Sequence, residues 1–263
     1  MKKFDLKNNL NFKIIKKKIK IKLQEKFNCN WTSVLKKLEK GYNYNFKDDL
    51  NFMTQIEYEL LQILKKKIKK NFKSIEFPAN IRISHNIPPK DYLKKPFATD
   101  YIHQDSWSGE PSDSYIFFIY IHLYKNCSYM KMFKKTKKLK KYNRLLNSYG
   151  DIKVSENELK QFKFPKKIGS AILFDTNTPH KSVRGFSGIR ISLDVRFRVK
   201  NPYQKKKKLY SLKEFANNKI LKQGKFWHKP NSKLYNFKEK INYEYKEIEK
   251  INNPRILNLR KTY

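Results

Sequence analysis

GIRISLDVRFRV, residues 188–199, alternates without a break. On an extended strand, successive side chains point to opposite sides. Ile191, Leu193, Val195, Phe197 and Val199 therefore share one face, and Arg190, Ser192, Asp194, Arg196 and Arg198 share the other. The apolar face needs a core to cover it. The polar face is either the wet side of an edge strand or the wall of a cavity. Upstream, GSAILFDT (169–176) and CSYMKMF (127–133) are also short and strand-like, and YIFFIYIHLY (115–124) is apolar on both faces. A strand of that kind is central and covered on each side. From FPANIRISHNIPP (77–89) to about residue 200 the chain is strand-rich with few long helices, which predicts a double-sheet barrel or jelly roll.

The flanks read differently. Residues 1–75 are predicted helical. WTSVLKKLEKG (31–41) has Thr32 or Ser33 as a cap and Gly41 as a stop. In DDLNFMTQIEYELLQILKKKIKKNF (48–72), Leu50, Met53, Ile56, Leu60, Leu64 and Ile68 recur at helical spacing, with acidic residues opening and lysines closing the helix. Residues 134–162 form a lysine-rich insertion in which SENE (155–158) predicts a capped short helix. After Pro202, Ser211 with Glu214 and the stretch 237–251 again suggest helices. The expected architecture is mainly β with α flanks. A double-stranded β-helix (jelly-roll, cupin-like) core over 76–200 lies between a helical buttress (1–75) and a helical C-terminal extension (201–263), all in one structural domain.

The net charge is +38, from 61 basic and 23 acidic residues, yet only eight of the basic residues are arginine. Lysine is spread along the whole chain together with abundant Asn, Ile, Phe and Tyr, a set encoded by A/T-rich codons. Nucleic-acid sites concentrate arginine in a patch instead. The field still favours an anionic partner. Two distant cysteines, Cys29 and Cys127, build no disulfide framework. With no signal-peptide-like apolar run and no stretch approaching ~20 apolar residues, a cytoplasmic protein without a membrane span is expected.

The chemistry lies in YIHQD (101–105) and NTPHKS (177–182). His103 and Asp105 are two apart, so on a strand both point to one side. His180 can supply a third ligand from another strand. Two histidines and a carboxylate on one face of a metal leave the other face open, which suits non-heme Fe(II). Taken alone, H-x-D equally describes a strand-end histidine bonded to its neighbour, and His180 a solvated loop residue. Asp175 is a competing carboxylate with no histidine two residues away. His85, before Pro88 and Pro89, and His228, in the charged tail, belong to no comparable set. Arg190 makes the group coherent. A buried guanidinium is costly unless paired, and its fork fits a carboxylate bidentately, with Ser192 adding a hydrogen bond. Trp107 offers an aromatic face for a sugar ring. His122 and Arg196 are further candidate substrate contacts, with Asp194 orienting Arg196.

H-x-D, a distal His and R-x-S about ten residues later resemble the Fe(II)/2-oxoglutarate-dependent dioxygenases over residues 79–200. HQDSWSG followed by an apolar strand, and GSAILFDTNTPH with IRISLDVRFR, are similar to the phytanoyl-CoA-dioxygenase-like branch and to oxygenases encoded among bacterial surface-carbohydrate genes. The resemblance implies Fe(II) on His103, Asp105 and His180, and 2-oxoglutarate with its distal carboxylate on Arg190 and Ser192. It also implies O2 as oxidant, with no catalytic residue beyond the ligands. The expected substrate is a small polar metabolite, a saccharide or nucleotide sugar. Two alternatives stay open. One is a nucleic-acid dealkylase of the AlkB type, whose arginine spacing Arg190 and Arg196 match, although the gap from His180 to Arg190 is short and no nucleotide lid is evident. The other is a non-catalytic basic binding protein on a jelly-roll scaffold.

Overall fold

The computed structural model describes residues 1–68, 74–86, 98–108, 114–124, 126–136, 139, 148–198 and 226–228. Strand β1 (Lys2–Asp5) precedes helices α1 (Leu10–Phe27), α2 (Trp31–Glu39) and α3 (Leu50–Lys67). Strands β2 (Ser74–Phe77), β3 (Asn80–Ser84), β4 (Ser114–Leu123), β5 (Tyr129–Phe133) and β6 (Gln161–Phe162) follow. The last described strands are β7 (Ser170–Asp175), β8 (His180–Val183), β9 (Arg190–Arg198) and β10 (Phe226–His228).

Asn9, Asn30 and Asp49 cap the three helices by accepting from the N–H groups of Phe12, Ser33 and Phe52. The cap of α2 is thus Asn30, upstream of the expected Thr32 or Ser33. Asparagine is at least as good a cap, and the earlier start lets Trp31 pack edge-on against His122. Along α3, Met53, Ile56, Leu60, Leu64 and Ile68 are buried as their spacing predicts. Each such side chain contributes roughly 1.5–3 kcal/mol relative to exposure.

The strands form two antiparallel sheets. One has seven strands in the order β1-β7-β4-β9-β2-β10, with β3 also paired to β9, and the other has the order β6-β5-β8. β2 and β3 share one edge of β9, β2 beside Phe197 and Arg198 and β3 beside residues 190–194. Pro78, lacking a donor, separates them. β4 lies inside the large sheet, between β7 and β9. Its Phe117, Ile119 and Ile121 join Ile191, Leu193, Val195 and Phe197 against the helices. Its Ile116, Phe118 and Tyr120 meet Met130 and Met132 of β5. The layers are therefore helices, large sheet and small sheet, and both faces of the large sheet are covered. Mainly antiparallel β with helical flanks is the architecture observed.

Three local expectations change. Residues 1–75 are not all helical, because β1 adds to the edge of β7 and Phe4 packs edge-on against Phe117. SENE forms a 3-10 turn, Glu156–Glu158, without a side-chain cap. Glu156 instead accepts from Lys131 and Lys181. A capping box does form at Ser148 and Asp151. In the C-terminal region, residues 226–228 are strand rather than helix and pair with β2. The helices expected around Ser211 and over 237–251 lie outside the described residues, as do 137–138 and 140–147 of the insertion. Among the described residues no helix is long and apolar enough to cross a membrane.

Candidate metal centre

At the end of β7, Asp175 accepts hydrogen bonds from the N–H of Asn177 and the hydroxyl of Thr178, turning the chain. Pro179 follows and His180 opens β8. The backbones of His180 and His103 exchange N–H···O bonds of 3.0 and 2.9 Å, an isolated antiparallel bridge that sets the imidazoles side by side. Their ring centroids are 4.3 Å apart. Asp105 is not on a strand with His103, as the sequence spacing suggested. It opens a 3-10 turn, Asp105–Ser108, closed by the Ser108 hydroxyl donating to the Asp105 carbonyl. The turn, rather than strand alternation, brings the carboxylate to the histidines.

Asp105 Oδ1 lies 3.6 Å from His103 Nε2 and 3.5 Å from His180 Nε2. All three residues are buried, and one ligand atom of each lies within 4.8 Å of the others. His103 Nδ1 is 2.8 Å from the Tyr101 carbonyl and His180 Nδ1 is 2.9 Å from the Thr178 carbonyl. A carbonyl only accepts, so each Nδ1 donates and each Nε2 is the ring nitrogen turned toward Asp105. Burial and the neighbouring His180 push the pKa of His103 down to about 3. Burial alone would raise Asp105, but Arg196, His180 and His103 hold it well below the usual carboxylate range. Neutral imidazole beside an ionised carboxylate is a metal-ready donor set.

Arg196, an expected substrate contact, lines the same cavity as the three ligand candidates. Its Nη2 donates to Asp105 Oδ2 at 2.7 Å, and its Nη1 donates to Glu76 Oε2 at 3.3 Å and lies 3.6 Å from Asp194 Oδ1. Asp194 also accepts from Asn80 and from Arg82 Nε, each at 2.8 Å. With Oδ2 taken by Arg196, Asp105 offers the centre Oδ1.

Arg190 is buried and donates from Nη2 to Ser84 Oγ at 2.7 Å. Its Nε and Nη1, with the hydroxyls of Ser192 and Ser128, have no hydrogen-bond partner among the described residues. Burial pushes its pKa below the ordinary arginine value. Arg190, Ser128 and the three metal-ligand candidates line one cavity of about 520 Å³, whose wall also includes the apolar Ile116, Phe118, Met130 and Phe174. A guanidinium edge without a partner among the described residues fits a carboxylate, and of the two hydroxyls Ser128 lines the cavity.

Two expected contacts are not brought to the cavity. Trp107 is 0 % exposed and packs with Ile102, Phe133 and Tyr149, so it offers no open face to a sugar. A register shift between Tyr120 and His122 interrupts the pairing of β4 with β9, and His122 packs against Trp31 of α2. Asp175 is held by Lys135, apart from the centre. The sequence reading missed Tyr149, which lines the cavity and stacks on His103 at 4.1 Å. It also missed Ser128 and the polar face of β3. β3 was legible, because NIRIS alternates as β9 does, placing Asn80, Arg82 and Ser84 in register with Asp194, Ser192 and Arg190. Neither a protein-family model nor a curated protein matches this chain.

Proposed function

We propose that the chain is an Fe(II)- and 2-oxoglutarate-dependent dioxygenase that oxidises a C–H bond of a small polar metabolite, a saccharide or nucleotide sugar. The two sheets enclosing a cavity are read as its jelly-roll core. One observation carries the proposal. A buried two-histidine, one-carboxylate set shares its cavity with a buried guanidinium whose Nε and Nη1 lack partners among the described residues. A metal site alone serves many reactions. A metal site with a built receptor for a second carboxylate fits a metal-chelating dicarboxylate.

His103, Asp105 and His180 hold the metal through Nε2, Oδ1 and Nε2. When bound, Fe(II) with 2-oxoglutarate and O2 supplies the oxidising chemistry, the cosubstrate leaving as succinate and CO2. Arg190 holds the distal carboxylate, with Ser192 and Ser128 donating hydroxyl hydrogen bonds. Arg196 keeps Asp105 ionised and presents one of its oxygens. The apolar wall of Ile116, Phe118, Met130 and Phe174 limits water around the reacting group. The resemblance of HQDSWSG to carbohydrate-cluster oxygenases and the diffuse, lysine-based charge favour a saccharide over a nucleic acid.

The test has three readings. Iron bound by wild type should be lost in His103→Ala and His180→Ala. Affinity for 2-oxoglutarate should fall in Arg190→Ala with iron retained. Succinate release should be stimulated by nucleotide sugars and not by methylated single-stranded oligonucleotides. Demethylation of the oligonucleotides would favour the dealkylase, and stoichiometric iron in both histidine variants would remove the metal assignment.

A further inference from the structure

Arg82 has no role in metal or cosubstrate binding as described, yet it lines the same cavity. It sits on β3 opposite Ser192, between Asn80, which serves Asp194, and Ser84, which serves Arg190. Its Nε is tied to Asp194 Oδ2 at 2.8 Å. Its two Nη groups make no hydrogen bond among the described residues. The contrast with Arg196 is informative. Both guanidiniums meet Asp194, but the Arg196 side chain is 7 % exposed and that of Arg82 is 41 %. Asp194 already has Asn80 and Arg196, so its neutralisation does not require a second arginine. A fork fixed at Nε and open at both Nη groups is pre-organised for an oxyanion.

Charge points the same way. Lys47, Arg82, Arg184, Arg190 and Arg196 line the cavity against Asp105 and Asp194. Glu76 and Asp100 stand with Arg196 and Arg184. A divalent metal and a dicarboxylate cancel each other and leave Arg82 facing the cavity with its Nη edge. We infer that Arg82 anchors an acidic group of the substrate, a phosphate or a carboxylate, on the Nη edge of its guanidinium. The assignment rests on the oxygenase reading for the word substrate, and on geometry alone for the anion seat.

Titration calorimetry of the full chain loaded with Co(II) tests it. Wild type, Arg82→Gln and Arg82→Lys are titrated with 2-oxoglutarate. The loaded complex is then titrated with inorganic phosphate and, separately, with acetate. Wild type should bind at least one of the two anions saturably, and which one binds distinguishes a phosphate-bearing from a carboxylate-bearing substrate. Arg82→Gln should weaken that binding by about ten- to a hundredfold, the worth of a charge-assisted contact. Arg82→Lys, which keeps the charge without the fork, should fall between the two. It carries the test if the glutamine variant does not fold, stoichiometric Co(II) binding being the check on folding. Equal anion affinity in wild type and variants would overturn the assignment, as would absence of anion binding by wild type at ~10 mM, well above the range expected for a charge-assisted seat. Loss of 2-oxoglutarate affinity with Co(II) retained would move Arg82 to the cosubstrate and overturn it too. Wild type that binds an anion through Arg82 but not 2-oxoglutarate would defeat the oxygenase reading and leave the anion seat standing.

Discussion

Replacing Arg196 with alanine should be among the most damaging single changes at this centre in the metal-free protein, and metal should partly repair it. Arg196 Nη2 stands 2.7 Å from Asp105 Oδ2, and Nη1 stands 3.3 Å from Glu76 Oε2. At an effective dielectric near 20, these contacts correspond to about 6 and about 5 kcal/mol of Coulomb attraction before desolvation. Desolvation offsets much of this, and removing one partner of a buried pair costs ~3–5 kcal/mol in practice. Asp194 is spared because Asn80 and Arg82 remain. Asp105 loses its 2.7 Å partner. In urea or thermal melts, the metal-free variant should lose ~3–5 kcal/mol, or roughly 6–20 °C in Tm for a chain of this size. Saturating Co(II) or Zn(II) gives Asp105 a new counter-charge but does not restore the contact between residue 196 and Glu76, so the gap to wild type should narrow without closing. A metal-free loss below ~1 kcal/mol, the range of exposed ion pairs, would refute the reasoning. So would a gap that metal leaves unchanged.

Arg190→Met should cost little stability in the ligand-free protein, or raise it, because a buried charge with unmet donors is exchanged for an apolar side chain; binding of 2-oxoglutarate should be abolished, and a large loss of stability without ligand would contradict an orphaned guanidinium. Metal-free protein should lose stability as pH falls from about 6.5 toward 3. The unfolded chain takes up a proton on His103 near its ordinary value while the fold resists until about pH 3, so the unfolded state binds more protons in that window; Asp105, also held low, adds loss of the same sign below its ordinary value, and a flat urea midpoint from pH 7 to 4 would count against the buried neutral His103. Gly185→Ala should destabilise by ~1–3 kcal/mol or more, since its Cβ would lie 1.9 Å from the Asn126 carbonyl oxygen, whereas at Gly41, where a Cβ meets nothing within 4 Å, only the positive φ opposes alanine; equal melting temperatures for the two variants would contradict this.

The sequence was most informative where one period governs a whole element. β9 and α3 present their apolar residues at spacings of two and of three to four, and both bury those faces. β4 was legible as central because it has no polar face to leave in water. β1 was not legible, since four residues with one aromatic gain strand structure only from pairing with β7, far along the chain. His103, Asp105 and His180 were identifiable as a set, but the route by which they meet was not. The spacing of two suggested a shared strand, whereas a backbone bridge between the histidines and a 3-10 turn at Asp105 assemble them. Trp107 shows the opposite error. Its position two residues past Asp105 suggested a surface for substrate, but the turn that aims Asp105 inward carries the indole into a core cluster.

Arg190 and Arg196 lie on the same strand face, and local pattern separates them only by Asp194, two residues before Arg196. The fold separates them. It brings Glu76 from β2 and Asp105 from a turn to Arg196, beside Asp194 of the same strand, and to Arg190 it brings the hydroxyl of Ser84. A chain that can surround one buried guanidinium with three carboxylates has the means to satisfy the other. Leaving Arg190 buried with donors unmet among the described residues is costly, and a carboxylate entering from solution would offset that cost. The asymmetry between the two arginines, more than the metal set itself, is therefore the observation on which the proposed dicarboxylate cosubstrate rests.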